Sequence, residues 1–172
     1  NDFTCQEQGT AIFKFEISDG IASNLFNTSV AIGPTLQEDV VEVSYVSGNN
    51  TIVNRAGDAK QLLVLRIYDV DKKVYPANAN GTIWITNGNY WYAWENRTDE
   101  NGYLNVYFNP DCSYDVGINT WFGGIANDAC YVDVNTSENF TIKIKGDLIA
   151  TIAQPAGEEY LRGSNVTIRA NL

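Results

Sequence analysis

The chain of 172 residues predicts an all-β fold: one complete antiparallel β-sandwich with extra strands at both ends. Two observations carry that expectation. Apolar residues recur at every second position in one short run after another, and the runs are separated by Asn-Gly, Glu-Asn-Gly and Asn-Pro, whose residues suit tight turns. No stretch of comparable length repeats its apolar residues at helical spacing.

Along residues 10–17, Ala11, Phe13, Phe15 and Ile17 alternate with Lys14 and Glu16, the pattern of a half-buried strand. Asp19-Gly20 turns the chain into a second strand over 25–32, which Gly33-Pro34 is expected to end. A third strand over 40–46 sets Val41, Val43 and Tyr45 against Glu42 and Ser44, and a turn at 47–50 leads into Thr51-Ile-Val53. The polar stretch 55–58 is the expected domain boundary, which divides the chain into an incomplete N-terminal sheet (1–56), a sandwich (57–146) and C-terminal strands (147–172).

Residues 61–70 are apolar on both faces, as expected of a strand covered on two sides, and only Arg66 interrupts them. The block from Asn80 to Val134 then carries most of the strand signal. It contains Gly81-Thr-Ile-Trp-Ile-Thr, Tyr90-Trp-Tyr-Ala-Trp, a turn at 98–102 and Tyr103-Leu-Asn-Val-Tyr-Phe108, followed by a stretch between Cys112 and Cys130 with a turn expected at Gly123-Gly124. Phe140, Ile142 and Ile144 alternate with Thr141, Lys143 and Lys145. Past Gly146, residues 148–153 are apolar, and the run Asn165, Val166, Thr167, Ile168, Arg169, Ala170, Asn171, Leu172 alternates again.

A formal charge of −10 argues against nucleic acid and anionic membrane as partners, since both are polyanions. The chain has no histidine, which removes the commonest general base and metal ligand, and no apolar stretch long enough to span a bilayer. Asn-x-Ser/Thr occurs seven times, at Asn27, Asn49, Asn80, Asn96, Asn135, Asn139 and Asn165. Twenty asparagines followed at random by Ser or Thr give about two or three such triplets, so the excess predicts covalent N-glycans and an extracellular or cell-surface location. The competing reading is that a chain rich in Asn and Thr collects sequons by composition. Cys112 and Cys130 are expected to form a disulfide across neighbouring strands, which leaves Cys5 as a free thiol or an interchain partner.

Residues 61–145 resemble an immunoglobulin-like β-sandwich repeat of prokaryotic and archaeal cell-surface proteins, of the invasin or carboxypeptidase-regulatory-like kind. The resemblance rests on Leu62-Leu-Val-Leu-Arg-Ile-Tyr-Asp69, Asn80-Gly-Thr-Ile-Trp-Ile85, the link Thr98-Asp-Glu-Asn-Gly102, and the strand of Tyr114 and Trp121 leading to Cys130-Tyr131. Ile152-Ala-Gln-Pro-Ala-Gly157 with Val166-Thr-Ile168 is similar to the opening of a further module. The resemblance implies a spacer, adhesin or surface-layer part.

Chemistry-bearing groups are sparse. Trp84, Tyr90, Trp91, Tyr92 and Trp94 read as core packing, a protein interface or a sugar-stacking platform, because alternation sends half the rings inward. Asp69 with Asp71, and Asp99-Glu-Asn101, suit turns, with a calcium site as the alternative; no cofactor or metal ligand set is complete. Gly-x-Ser-x-Gly, a triad histidine and a phosphate-cradling loop are all missing, so no catalytic residue is expected. The expected function is a non-enzymatic, glycosylated structural subunit of a surface polymer: a filament, sheath or surface layer made of copies of this chain. Residues 165–172 are the expected donor strand, closing the N-terminal sheet of the same chain or of a neighbour. The alternative is a carbohydrate-binding or adhesin module.

Overall fold

A computed structural model of the chain describes residues 9–13, 16–17, 26–27, 31–148 and 150–171. The strands, in chain order, are β1 (Gly9–Phe13), β2 (Glu16–Ile17), β3 (Phe26–Asn27), β4 (Ala31–Leu36), β5 (Val41–Ser47), β6 (Thr51–Asn54), β7 (Gln61–Asp69) and β8 (Asn80–Thr86). They continue with β9 (Trp91–Arg97), β10 (Tyr103–Phe108), β11 (Gly117–Ile125), β12 (Val134–Asn135), β13 (Phe140–Lys145), β14 (Thr151–Gln154) and β15 (Arg169–Asn171). The described residues are all-β.

Two sheets face each other. One has the order β10-β7-β5; the other has the order β6-β13-β11-β8-β9, with β12 also paired to β11. All the pairs are antiparallel except β6, which runs parallel to β13. The period-2 alternation fixes which side chains meet between the sheets. Leu63 and Leu65 of β7 with Leu104, Val106 and Phe108 of β10 pack against Ile83, Ile85, Trp121, Phe140, Ile142 and Ile144. Fully burying a large apolar side chain contributes about 1.5–3 kcal/mol, so this layer dominates the stability of the sandwich.

The sandwich is larger than expected. β5 and β6 belong to it, and their Val41 and Val53 are buried in its core. The boundary expected at 55–58 is therefore a loop between two strands of one sandwich. Its Arg55 guanidinium donates to the carbonyl of Tyr114 at 2.7 Å, which ties this loop to the β10–β11 loop.

Gly123 and Gly124 do not turn the chain. They lie in the nine-residue strand β11, where glycine serves close backbone approach. A Cβ at Gly124 would sit 1.9 Å from the carbonyl oxygen of Val134, and one at Gly123 would sit 2.6 Å from that of Thr82. The turn at 98–102 is present, and it carries the chain from one sheet to the other. Gly102 takes a φ of 73° there, with its missing Cβ facing the carbonyl of Ile67.

On the outer face of β7, Arg66 is an organiser and not an interruption. Its guanidinium carbon lies 3.6 Å from the ring centroid of Tyr75 and 4.7 Å from that of Tyr103.

Outside the sandwich the strands form small separate ribbons: β1 with β4, β2 with β3, and β14 with β15. The strand expected over 10–17 appears as β1 and β2, with residues 14–15 outside the described part. Gly33-Pro34 does not end a strand; β4 runs through it. The pairs Thr10↔Thr35 and Ile12↔Ile32 leave Gly33 and Pro34 opposite the single residue Ala11, a bulge that tolerates proline's missing N–H.

Candidate assembly and glycosylation sites

The expected donor strand is only partly strand. Of residues 165–172, Arg169–Asn171 form β15, Leu172 lies outside the described residues, and β15 pairs with β14 through Thr151↔Asn171, Ile152↔Ala170 and Gln154↔Arg169. The β14–β15 ribbon is not hydrogen-bonded to β1–β4, so closure of the N-terminal ribbon within the chain is not made among the described residues. Ile152 and Ile168 are 74% and 76% exposed, and Ile12 and Ile32 are as open on the N-terminal side. A two-stranded ribbon is marginal alone, and its edges present unpaired N–H and C=O groups.

β5 is the last strand of its sheet. Beside it a groove of about 300 Å³ opens between Val43, Tyr45 and Phe140, with Thr136 and Glu138 on its rim.

Four sequon asparagines, Asn96, Asn135, Asn139 and Asn165, are exposed, while Asn49 and Asn80 are half-buried; the side chain of Asn27 lies outside the described residues. At Asn49 the carboxamide oxygen accepts the Thr141 N–H at 2.9 Å, joining the β5–β6 turn to β13. The Nδ2 atoms of Asn80 and Asn96 donate to the carbonyls of Asn127 and Asn105. The hydroxyl of Thr98, third residue of the Asn96 sequon, is buried, donating to the Pro76 carbonyl and accepting the Ala79 N–H.

The expected Cys112–Cys130 disulfide is not formed. Cys112 is a free, exposed thiol. It precedes β11 and Cys130 follows it, and because β11 runs straight through Gly123-Gly124, its ends stand about 27 Å apart. Disulfide geometry needs Cα atoms within about 7 Å. Cys130 is itself disulfide-bonded. Cys5 lies outside the described residues.

The aromatic block divides by phase. Tyr92 and Trp94 turn inward to Tyr114 and Phe108, with ring centroids 5.3 Å apart in both pairs. Burial pushes the Tyr114 hydroxyl above its ordinary pKa, against the opposing hydrogen bond from Trp94. Trp84 and Trp91 stand on the outer face and meet Phe122, a residue the sequence reading passed over. Trp84 stacks on Phe122 at 5.3 Å and 21°, and Trp91 meets its edge at 4.9 Å. The signal was available, because Phe122 follows the core residue Trp121 in an alternating strand. Tyr90, in the β8–β9 turn, is exposed.

Asp69 is fully buried, and its Oδ1 accepts the backbone N–H groups of Asp71 and Lys72 at 3.0 and 2.8 Å. Lys72 pairs with Asp39, whose hydrogen bond raises the ammonium pKa, and its Nζ lies 3.9 Å from Asp69 Oδ2. Asp71 accepts the Val40 N–H and Asp99 those of Asn101 and Tyr103. These carboxylates tie turns to strands.

No protein-family model and no curated protein matches the chain. Fold and surface together define its class as an all-β sandwich protein flanked by small strand ribbons. Among the described residues, no helix is long and apolar enough to cross a membrane.

Proposed function

We propose that this chain is a non-enzymatic, N-glycosylated structural subunit or module of an extracellular polymer on the cell surface, a filament, sheath or surface layer, whose copies join by strand exchange. The observation that carries the reading is the β14–β15 ribbon, which lies apart from the sheets of the sandwich with Ile152 and Ile168 open to water. A partner sheet edge would pair its backbone and cover those side chains, and a neighbouring copy offers two: the β1–β4 ribbon and the edge of β5, where Val43, Tyr45 and Phe140 line one part of a groove otherwise walled by polar residues. Donation from chain to chain is heterologous and propagates into an open polymer when the rotation does not close. Kinship with immunoglobulin-like surface repeats belongs to the same proposal.

The test is a chain ending at Gly146, produced where the full chain assembles. It should keep the melting transition of the sandwich and fail to form the ordered assemblies that electron microscopy finds for the full chain. Equal assembly by the shortened chain would sink the connector role. A second reading, a carbohydrate-binding module, draws on the outward rings Trp84, Trp91 and Phe122; retention of a monomeric protein on immobilised polysaccharide would favour it.

A further inference from the structure

The outer face of the large sheet carries an attachment point and an aromatic surface on the same strand. In β8 the alternation that sends Ile83 and Ile85 into the core puts Asn80, Thr82, Trp84 and Thr86 on the opposite face, where Asn80, Trp84 and Thr86 are half-buried and Thr82 is covered by its neighbours. Asn80 belongs to the sequon Asn80-Gly81-Thr82. Four residues along a strand span about 14 Å, so Trp84 lies within reach of a short oligosaccharide rooted at Asn80. The path between them is low. Thr82 stands across from Gly124 on one side and Glu95 on the other, and Trp84 has Ala93 as its neighbour on β9. A groove of about 310 Å³ starts at Asn80, with Thr82, Glu95 and Arg97 among its walls.

We propose that an N-glycan on Asn80 folds back along β8 and seats its sugars on the outward rings of Trp84, Phe122 and Trp91. The inference rests on the glycosylated reading above. Glu95 and Arg97 at the root of the path offer a carboxylate and a guanidinium to sugar hydroxyls, while the rings beyond offer flat apolar surface to the C–H faces of pyranoses. Trp91, 49% exposed, is the ring with most to lose to such a cover. The other two large rings of the same kind, Trp94 and Trp121, face the core and are insensitive to it.

The experiment uses the full chain from a host with its glycosylation pathway. Glycopeptide mass spectrometry first establishes whether Asn80 is occupied. Acrylamide quenching of tryptophan fluorescence is then compared between the parent, Asn80→Gln, the near-isosteric Thr82→Val, which deletes the sequon and keeps Asn80, and Asn165→Gln as a remote control. The expected result is an occupied Asn80, with stronger quenching and red-shifted emission in both β8 variants and no change in the control. An occupied Asn80 with unchanged quenching in both variants overturns the seat and leaves glycosylation standing. An empty Asn80 with other sequons occupied also overturns the seat alone, whereas seven empty sequons overturn the glycosylated reading as well. Quenching that stays low in both variants and rises only on dilution assigns the rings to a second copy of the chain, and overturns the proposal.

Discussion

The indole N–H of Trp94 donates to the hydroxyl of Tyr114 at 2.9 Å. β9 ends its sheet, so this bond and the ring contacts around it fasten that outermost strand to the β10–β11 loop. Tyr114→Phe keeps the ring against Phe108 and removes only the acceptor. We expect a loss of about 1–2 kcal/mol in urea unfolding, since the indole N–H is left in a half-buried site. An unchanged midpoint would show that water replaces the hydroxyl.

Stability should fall on the alkaline side. Burial raises the pKa of Tyr114 and Tyr131, and the Asp39 hydrogen bond raises that of Lys72. A group whose folded pKa is raised contributes stability that is complete below its unfolded value and is lost as pH climbs through the folded one. The unfolded values are about 10 for tyrosine and 10.4 for lysine, so the melting temperature should hold from neutrality to about pH 10 and drop above it. A double Tyr114→Phe, Tyr131→Phe variant should drop less steeply, and an identical slope would assign the loss to other groups.

Gly124→Ala places a methyl where the Val134 carbonyl and the Asn135 Cα already are, at 1.9 and 2.8 Å. Neither obstacle is a flexible side-chain end, so β12 must move away from β11. The cost is about 1–3 kcal/mol, as for other overpacking changes. Hydrogen exchange reads the mechanism directly: the Thr136 amide, which donates to the Gly123 carbonyl at 2.8 Å, should lose protection first. Retained protection there would mean that the strain is absorbed elsewhere.

Peptide mapping under non-reducing conditions should find Cys112 alkylated at once and Cys130 only after reduction, because the first is free and exposed and the second is bonded. Sequencing the peptide released with Cys130 identifies its partner, and mixing isotope-labelled with unlabelled chains separates a bond within one chain from a bond between two. A Cys112–Cys130 peptide would contradict the straight course of β11.

The sandwich core was legible because alternation is a local property. Leu63, Leu65, Ile142 and Ile144 announce their faces whatever strands they pair with. Pairing was not legible where partners lie far apart in the chain: β6 joins β13 some ninety residues later, and nothing in Thr51-Ile-Val53 names that neighbour. Glycine misled at Gly123-Gly124 because one residue type serves both turns and close strand approach, and the cysteine pairing failed with it. Sequon positions were fully legible. The aromatic surface was half so: phase sends Trp84 outward, but only the register Phe122↔Trp84 reveals the ring beside it.

The course of the backbone also sets how the sandwich would bear load. The chain enters β5 at Val41, which packs with Ile67, Ala79 and Ile125, and leaves β13 at Lys145, beside Asn54 and next to the Ile144↔Gly117 pair at the opposite end. Tension between those two points therefore runs along the strands and not across them. β13 is an inner strand, held in register by five partners on β11 and four on β6. Such a pull shears both ladders together, where a strand drawn off sideways unzips one bond at a time.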